Sequence, residues 1–497
     1  MKKDFIVVGA GVSGISTALI LKKCGYDVTL IEKSHKTAPV IRGFKRKGVV
    51  FDTGLHYVGG CGEGEPFNLF LRYLGVRNNI KTIPFDVDGF DLFRSAKPEM
   101  NFLFPSGWGR LVHSFCEKFP EEHKCITEYF NEVRKIYEEL PFRDAGKEMS
   151  IDYVMQSVEG PSLKVFLDSR SHNEVLKCLL SAHTLLYGMT PAEVPIAFHA
   201  RIVGSYYEST WGIEGGGLNL AEAFDKELAN EGVEVLCNKG VERYVFDEGG
   251  ELKGVQLEGG EVLNADKVIH TLHLETLLDF VPDSLFRKSY RKRINHLEET
   301  LSAFIYYGIS EKSIEKLDKR NLLYFPEAQM DYPYGHPDFN QRHLFVAPSR
   351  LAEEKQVKGY GFTAICPASY KETQQWKNSR LGKRGPDYKQ FKNDLFDRFD
   401  DSLHQSCGDI LGSFKCVEGS TPLSVRDWSN NPYGALYGCK HKVGHADFSV
   451  RTKVKNLFLS GQTVVAPGAM GAVLAALITC STILGQEKIE KELNKCR

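Results

Sequence analysis

The chain has 497 residues, 42% hydrophobic and 26% charged, an ordinary globular balance in a chain too long for one simple core. Lys and Arg number 63 against 64 Asp and Glu, a formal net charge of -1, which gives no general drive toward nucleic acid. Twelve cysteines are scattered singly, with no C-x-x-C pair and no zinc-ligand spacing, so reduced, buried thiols and no metal are expected.

In chain order, Phe5-Ile-Val-Val8 is an apolar β-branched run, Gly9, Gly11 and Gly14 form a G-x-G-x-x-G turn, and Ile15 to Lys23 has helical spacing. Val28 to Ile31 is a second strand that delivers Glu32, and Val49 to Asp52 opens a further short one. Apolar residues recur at three- and four-residue steps from Ile126 to Leu140, predicting an amphipathic helix whose face packs in the core or meets a membrane surface. Residues 160 to 200 are helical, broken at Pro191 and Pro195, and a helix over 218–231 follows the glycine run Gly215 to Gly217. Closely spaced strands come next at 233–236, 241–246, around Val255 and at 267–270. Residues 290 to 430 give no clear order. A strand at Val454 to Leu459 precedes the apolar run Val464 to Leu484, read as a loop leading into a buried helix rather than a membrane span.

The opening unit carries the first chemistry. Gly9 permits a tight turn, Gly11 lets the backbone approach a pyrophosphate, and Gly14 allows close packing of helix on strand. The helix start offers N–H groups and a positive dipole end to phosphates, and Glu32 would accept ribose hydroxyls. The two lysines and apolar run at the N-terminus superficially resemble a signal peptide, but cleavage there would destroy the nucleotide site, so a cytoplasmic protein is expected.

At the other end, Leu457-Phe-Leu-Ser-Gly-Gln462 closes a strand on a glycine and Pro467-Gly-Ala-Met-Gly471 opens the last long helix. A helix start there can turn its N–H groups toward the pyrimidine side of an isoalloxazine and favour the reduced anion. Paired with Glu32, this makes the bound dinucleotide a flavin. No second glycine turn in a strand–helix register marks a nicotinamide nucleotide domain, which leaves the electron donor or acceptor open.

The opening motif, FDTGLHYVGG (51–60), YGMTPAEVPIAFHA (187–200) and SGQTVVAPGAMGA (460–472) together resemble the phytoene desaturase superfamily, most closely its retinol saturase and carotenoid cis–trans isomerase branch. The resemblance implies an α/β fold with a Rossmann-type domain of the monoamine oxidase and GDI kind and a discontinuous α+β substrate domain. Residues 1–85, 205–285 and 430–497 would form the first, and 86–204 and 286–429 the second. It implies FAD, with cofactor contacts at Gly9, Ala10, Gly11, Val12, Ser13, Gly14, Glu32, Lys33, Gly54, Val241, Gly461, Gln462, Ala469 and Met470. The family's Gly-Gly pair after the acid is missing. The stretch Thr37 to Phe44 holds one glycine, which gives Arg42 a local role in the cofactor site.

His56, in the segment resembling a flavin-adjacent loop, is the candidate proton carrier. Tyr187 and His199 are candidate substrate-wall residues, and Tyr206, Tyr207, Tyr332 and Tyr334 candidate linings of an apolar tunnel. The expected activity is saturation or desaturation of a carbon–carbon double bond in a lipophilic isoprenoid or polyene. Alternatives are a cis–trans isomerase that needs reduced FAD, an amine oxidase, and a non-catalytic prenyl-lipid carrier of the GDI type. Such a substrate is collected from a membrane surface, so peripheral association through 126–140 is expected.

Overall fold

The computed structural model describes residues 2–144, 160–349, 359–444 and 448–497. Phe5 to Val8 of strand Lys3–Val8 and all of strand Val28–Ile31 are buried, near-continuous apolar runs in the pattern of a parallel sheet covered on both faces. They pair in parallel, flanked by Glu234–Leu236 on one side and Val262–His270 on the other. Leu457–Leu459 extends the parallel set on Val262–His270, while Leu252–Leu257 and Val241–Phe246 continue from it as an antiparallel meander. One sheet thus draws strands from both ends and from the middle of the chain.

The second sheet draws five of its seven strands from the region that the sequence pattern left unordered and two from residues 91–104. It runs Phe414–Ser420, Ser302–Ser310, Tyr360–Ala368, Leu344–Pro348, Asn321–Glu327, Asp91–Lys97, Glu99–Phe104. Every neighbouring pair is antiparallel except Asn321–Glu327 with Asp91–Lys97. Helices Trp108–Lys118, His123–Glu138 and Ile196–Glu208 pack with Phe93, Phe104 and Phe345 of this sheet in one aromatic-rich core.

Two expectations about membranes are settled by burial. Ile126, Tyr129, Phe130, Val133 and Tyr137 of helix His123–Glu138 are all core residues, none more than 2% exposed. That face is consumed by packing, which corrects the reading of 126–140 as a membrane-facing surface. The apolar run near the C-terminus is a loop followed by helix Gly468–Leu484, buried against the first helix, Val12–Lys23. Among the described residues no helix is long and apolar enough to cross a membrane. All twelve cysteines are free thiols.

The core also holds a chain of hydrogen-bonded polar side chains. Tyr129 Oη donates to Leu180 O (2.8 Å) and meets His199 Nε2 at 2.7 Å, while Tyr187 Oη meets His199 Nδ1 at 2.7 Å. Since the Tyr129 hydroxyl proton is spent on Leu180, His199 carries its proton on Nε2 and accepts from Tyr187 through Nδ1. Tyr207 links Tyr129 to His183 Nδ1, and His183 Nε2 lies 3.0 Å from Asp91 Oδ2. Asp91, fully buried, also accepts from Tyr57 Oη (3.0 Å) and Asn321 Nδ2 (3.1 Å).

Burial pushes His199 and His343 down to about 3 and His270 to about 4, which keeps all three neutral in the fold. The unfolded chain, with ordinary histidines near 6.5, takes up protons below that pH that the fold refuses. Stability is therefore full above pH 6.5 and falls as the pH drops toward 3, by about 1.4 kcal/mol for each pKa unit separating the two states of each histidine. Urea unfolding midpoints should drop between pH 7 and pH 5. In His199→Gln the midpoint should be lower at pH 7 and less dependent on pH; an unchanged pH slope would contradict a neutral His199.

Candidate functional site

The glycine turn follows strand Lys3–Val8 at the carboxyl end of the parallel strands, where ligands of open α/β sheets bind. Gly9 has φ +102°, and a Cβ there would lie 2.7 Å from Leu272 Cδ2. Gly14 is tighter still, since its Cβ would stand 1.9 Å from Gly9 O. Gly11 differs from both. It caps the first helix with ordinary φ and ψ of -70° and 176°, and a Cβ added to it meets nothing within 4 Å. Two glycines serve packing and the third keeps a surface open beside a helix start whose first N–H groups have no intrahelical acceptors. This is the cradle a pyrophosphate fits.

Glu32, 7% exposed, is aimed by the backbone: Ala10 N–H donates to Oε2 and Ser34 N–H to Oε1, both at 2.8 Å. Each oxygen keeps a lone pair for a ribose hydroxyl. The loop after Glu32 folds over the turn through Ala38 N to Ala10 O, 2.7 Å. Arg42 does not point freely into this cradle. Its guanidinium donates to Thr37 O and Oγ1 and pairs with Asp225 Oδ2 at 2.7 Å, fastening the loop to helix Gly216–Asn230. Lys33 is largely exposed and pairs with Glu258 at 3.1 Å, so any contact it makes is through its backbone or the edge of the site. Val241, half-buried, starts its strand two residues beyond Lys239, whose N–H donates to Glu32 O. Gly54 is exposed and lies close against Val40.

The C-terminal motif joins this turn directly. Ser460 Oγ is 2.9 Å from Ser13 Oγ, tying the end of strand Leu457–Leu459 to the start of the first helix. Gly461 (φ +116°) sits over Thr271, whose Oγ1 donates to Val8 O and Gly9 O. Gln462 O accepts from His441 Nε2, 3.1 Å away. Ala469 and Met470 open helix Gly468–Leu484 at a cavity lined also by Val58, Gly59, Phe198, Ile202 and Tyr206. Arg201 is the one charged side chain on its described wall.

His56 is half-buried with its ring 5.6 Å from Phe345, whose ring stacks on Tyr57 at 5.8 Å. It stands three residues before Gly59 of the cavity wall. Tyr187 and His199 do not face the cavity: at 1% and 0% exposure they are internal members of the polar chain, and their neighbours Leu186 and Phe198 line it instead. That corrects the substrate-wall reading, because each polar tip is already committed to a buried partner. Of the four tunnel tyrosines, Tyr206 lines the cavity, Tyr207 belongs to the polar chain, Tyr334 bonds Thr184 Oγ1 (2.6 Å) and Tyr332 bonds Gln341 (3.2 Å).

Two features escaped the sequence pattern. Asp52 of FDTG accepts from Gly217 N (2.7 Å), and a Cβ on Gly217 would lie 1.8 Å from Ile41 O, so a second glycine helix start props the loop over the cradle. The fold also brings His273, Glu299 and Cys439 together, with Cys439 Sγ 3.1 Å and Glu299 Oε1 3.0 Å from His273 Nε2. His273 Nδ1 accepts from Glu275 N–H, which leaves the proton on Nε2, facing Glu299. Burial, with Glu299 beside it, pushes the Cys439 thiol far up, so the cluster holds a thiol, not a thiolate.

The profile of the flavin-containing amine oxidoreductase family matches residues 12–484. An all-trans-retinol 13,14-reductase of Danio rerio is 24% identical over 98% of this chain and 87% of its own length. A 4,4'-diapophytoene desaturase (4,4'-diaponeurosporene-forming) of Staphylococcus haemolyticus is 22% identical over 96% and 98%. The fold matches that of cyclohexylamine oxidase from Brevibacterium oxydans with a TM-score of 0.60, at 14% identity over 100% of this chain and 99% of the other. The chain belongs to the flavin-containing amine oxidoreductase family, in the branch of the retinol saturases and phytoene desaturases, and is an FAD-dependent oxidoreductase.

Proposed function

We propose that the protein adds or removes hydrogen across a carbon–carbon double bond of a lipophilic isoprenoid or polyene, collected at a membrane surface. The observation that carries this reading is the cavity at the start of helix Gly468–Leu484, whose described wall is apolar apart from Arg201, Ser205 and the Tyr206 hydroxyl. Such a wall excludes water and suits a hydrocarbon chain, and the names of both relatives are those of enzymes that act on polyenes. Amine oxidation finds less support, because the described wall offers no carboxylate to receive an ammonium group.

In this reading Gly9 to Gly14 and Gly461 would hold the pyrophosphate, Glu32 the adenosine ribose, and Ala469 and Met470 the flavin ring. Bound FAD supplies hydride exchange with carbon. The chain's own part is to orient the polyene against Tyr206 and Met470, keep the channel dry, and move one proton at the His56 imidazole.

Gly11→Val should fold with a normal melting temperature yet purify without flavin, whereas Gly14→Ala should lose stability by about 1–3 kcal/mol or more from overpacking. Full flavin content in Gly11→Val would remove the cradle assignment. Glu32→Ala should weaken FAD binding by about 1–3 kcal/mol, measured by titration of apoprotein.

Anaerobic stopped-flow with a panel of polyenes separates the reactions: bleaching of oxidised enzyme marks desaturation, re-oxidation of reduced enzyme marks saturation, and isomers without spectral change mark isomerisation. Absence of all three across the panel would defeat the reading. His56→Gln should keep flavin and fold while turnover falls about 100-fold, the usual share of a general acid or base. Loss of flavin or insolubility would make His56 structural.

A further inference from the structure

Among the described residues nine large apolar side chains are exposed, and three of them stand on segments that are joined to one another. Trp428 is 59% exposed, Tyr433 53% and Leu381 48%. Trp428 ends helix Pro422–Ser429, Tyr433 lies in the short turn after it, and Leu381 tips the turn bridged by Arg380 and Lys383. These pieces are fastened together. Arg426 donates to Tyr370 Oη (2.9 Å) and to Lys377 O (2.7 Å), the Tyr370 and Tyr433 rings are 5.5 Å apart, and Arg384 pairs with Asp427.

The backbone holds Tyr433 out at φ +57°, left-handed geometry that a bulky residue seldom adopts and that costs free energy unless something compensates. The surrounding charge is lopsided. Residues 370–384 contain five Lys and Arg and one acid, Glu372, on a chain whose net charge is -1. Glu372 is committed to Arg342 (2.8 Å), while Lys371, Lys377, Arg380 and Lys383 are exposed. Exposed aromatics ringed by exposed cations are the composition of a surface that settles into a headgroup layer.

The patch also leads inward. Four residues after Tyr433, the Tyr437 ring lies close against Gly188, two residues beyond Leu186 of the cavity wall. The segment 428–437 therefore runs from the exposed patch to the neighbourhood of the cavity.

We propose that Trp428, Tyr433 and Leu381, with Lys371, Lys377, Arg380 and Lys383, form the face by which the protein docks on an anionic lipid bilayer. This deepens the reading of a lipophilic substrate and rests on it for its purpose, but docking is measurable without any turnover. Helix His123–Glu138, with its apolar face spent in the core, has no part in it.

The test is flotation of the flavin-loaded full chain with vesicles of phosphatidylcholine alone or mixed with phosphatidylserine. Wild type should float with the mixed vesicles, less with the neutral ones, and should be released by high salt. Trp428→Ser with Tyr433→Ser, and separately Lys371, Lys377, Arg380 and Lys383 all to Gln, should each weaken partitioning about tenfold or more. Flavin content and turnover of a detergent-dispersed polyene should stay at wild-type values in both variants. Undiminished flotation of the variants, or none by wild type, overturns the proposal. So does a sedimentation dimer that the aromatic pair abolishes, which would make the patch an interface between two copies. Flotation as expected without turnover of any polyene would leave the docking face standing and remove the substrate reading alone.

Discussion

There is no room for a carbon atom at Gly14. Its Cα is pressed so closely on the Gly9 carbonyl that a Cβ would stand 1.9 Å from that oxygen, and this approach sets the distance between the first strand and the first helix. The Ser13–Ser460 hydroxyl pair, the Thr271 hydroxyl under the turn and the burial of helix Gly468–Leu484 all presuppose that distance. Two helix starts, one from each end of the chain, are thereby fixed side by side in the same crevice.

The second requirement is dryness. The wall of the cavity carries few polar tips, yet the segments that form it hold tyrosines and histidines at close intervals. The fold answers by alternation along the helical and turn backbone. Leu186, Phe198 and Tyr206 face the cavity, while Tyr187 and His199 turn inward and bond each other, and Tyr207 turns inward to meet Tyr129 and His183. The polar tips become internal partners, and a buried network that is fully bonded rigidifies what surrounds it.

Legibility in the sequence follows the range of the contacts. The opening turn, Glu32 and the last helix start are local motifs that the spacing of a few residues reveals, and strands at 28–31 and 241–246 fall where the pattern puts them. The second sheet was illegible because its neighbours are remote in sequence: Asp91–Lys97 pairs with Asn321–Glu327 across more than two hundred residues. No periodicity encodes that partner. The same holds for Arg42, whose acid, Asp225, sits on a distant helix, and for Asp52, whose acceptor role depends on Gly217 arriving beneath the loop. The inward turn of His199 was hidden for another reason. A histidine in an apolar helix has the same signature whether it faces a ligand or a neighbouring tyrosine.

Asp91 has a consequence for how the sheet assembles. It lies on the sheet's one parallel seam, opposite Asn321 in the ladder and bonded to that residue's side chain. A slip of one residue along the seam would carry the carboxylate to the opposite face. It would then lose Asn321, Tyr57 and His183 together and leave a charge buried without donors, a far larger penalty than any misplaced methyl group. Flanking residues such as Leu92, Phe93, Leu322 and Leu323 are all apolar and would tolerate several alignments by packing alone. The buried acid thus acts as a proofreading mark, singling out one alignment of the seam among several that packing would accept.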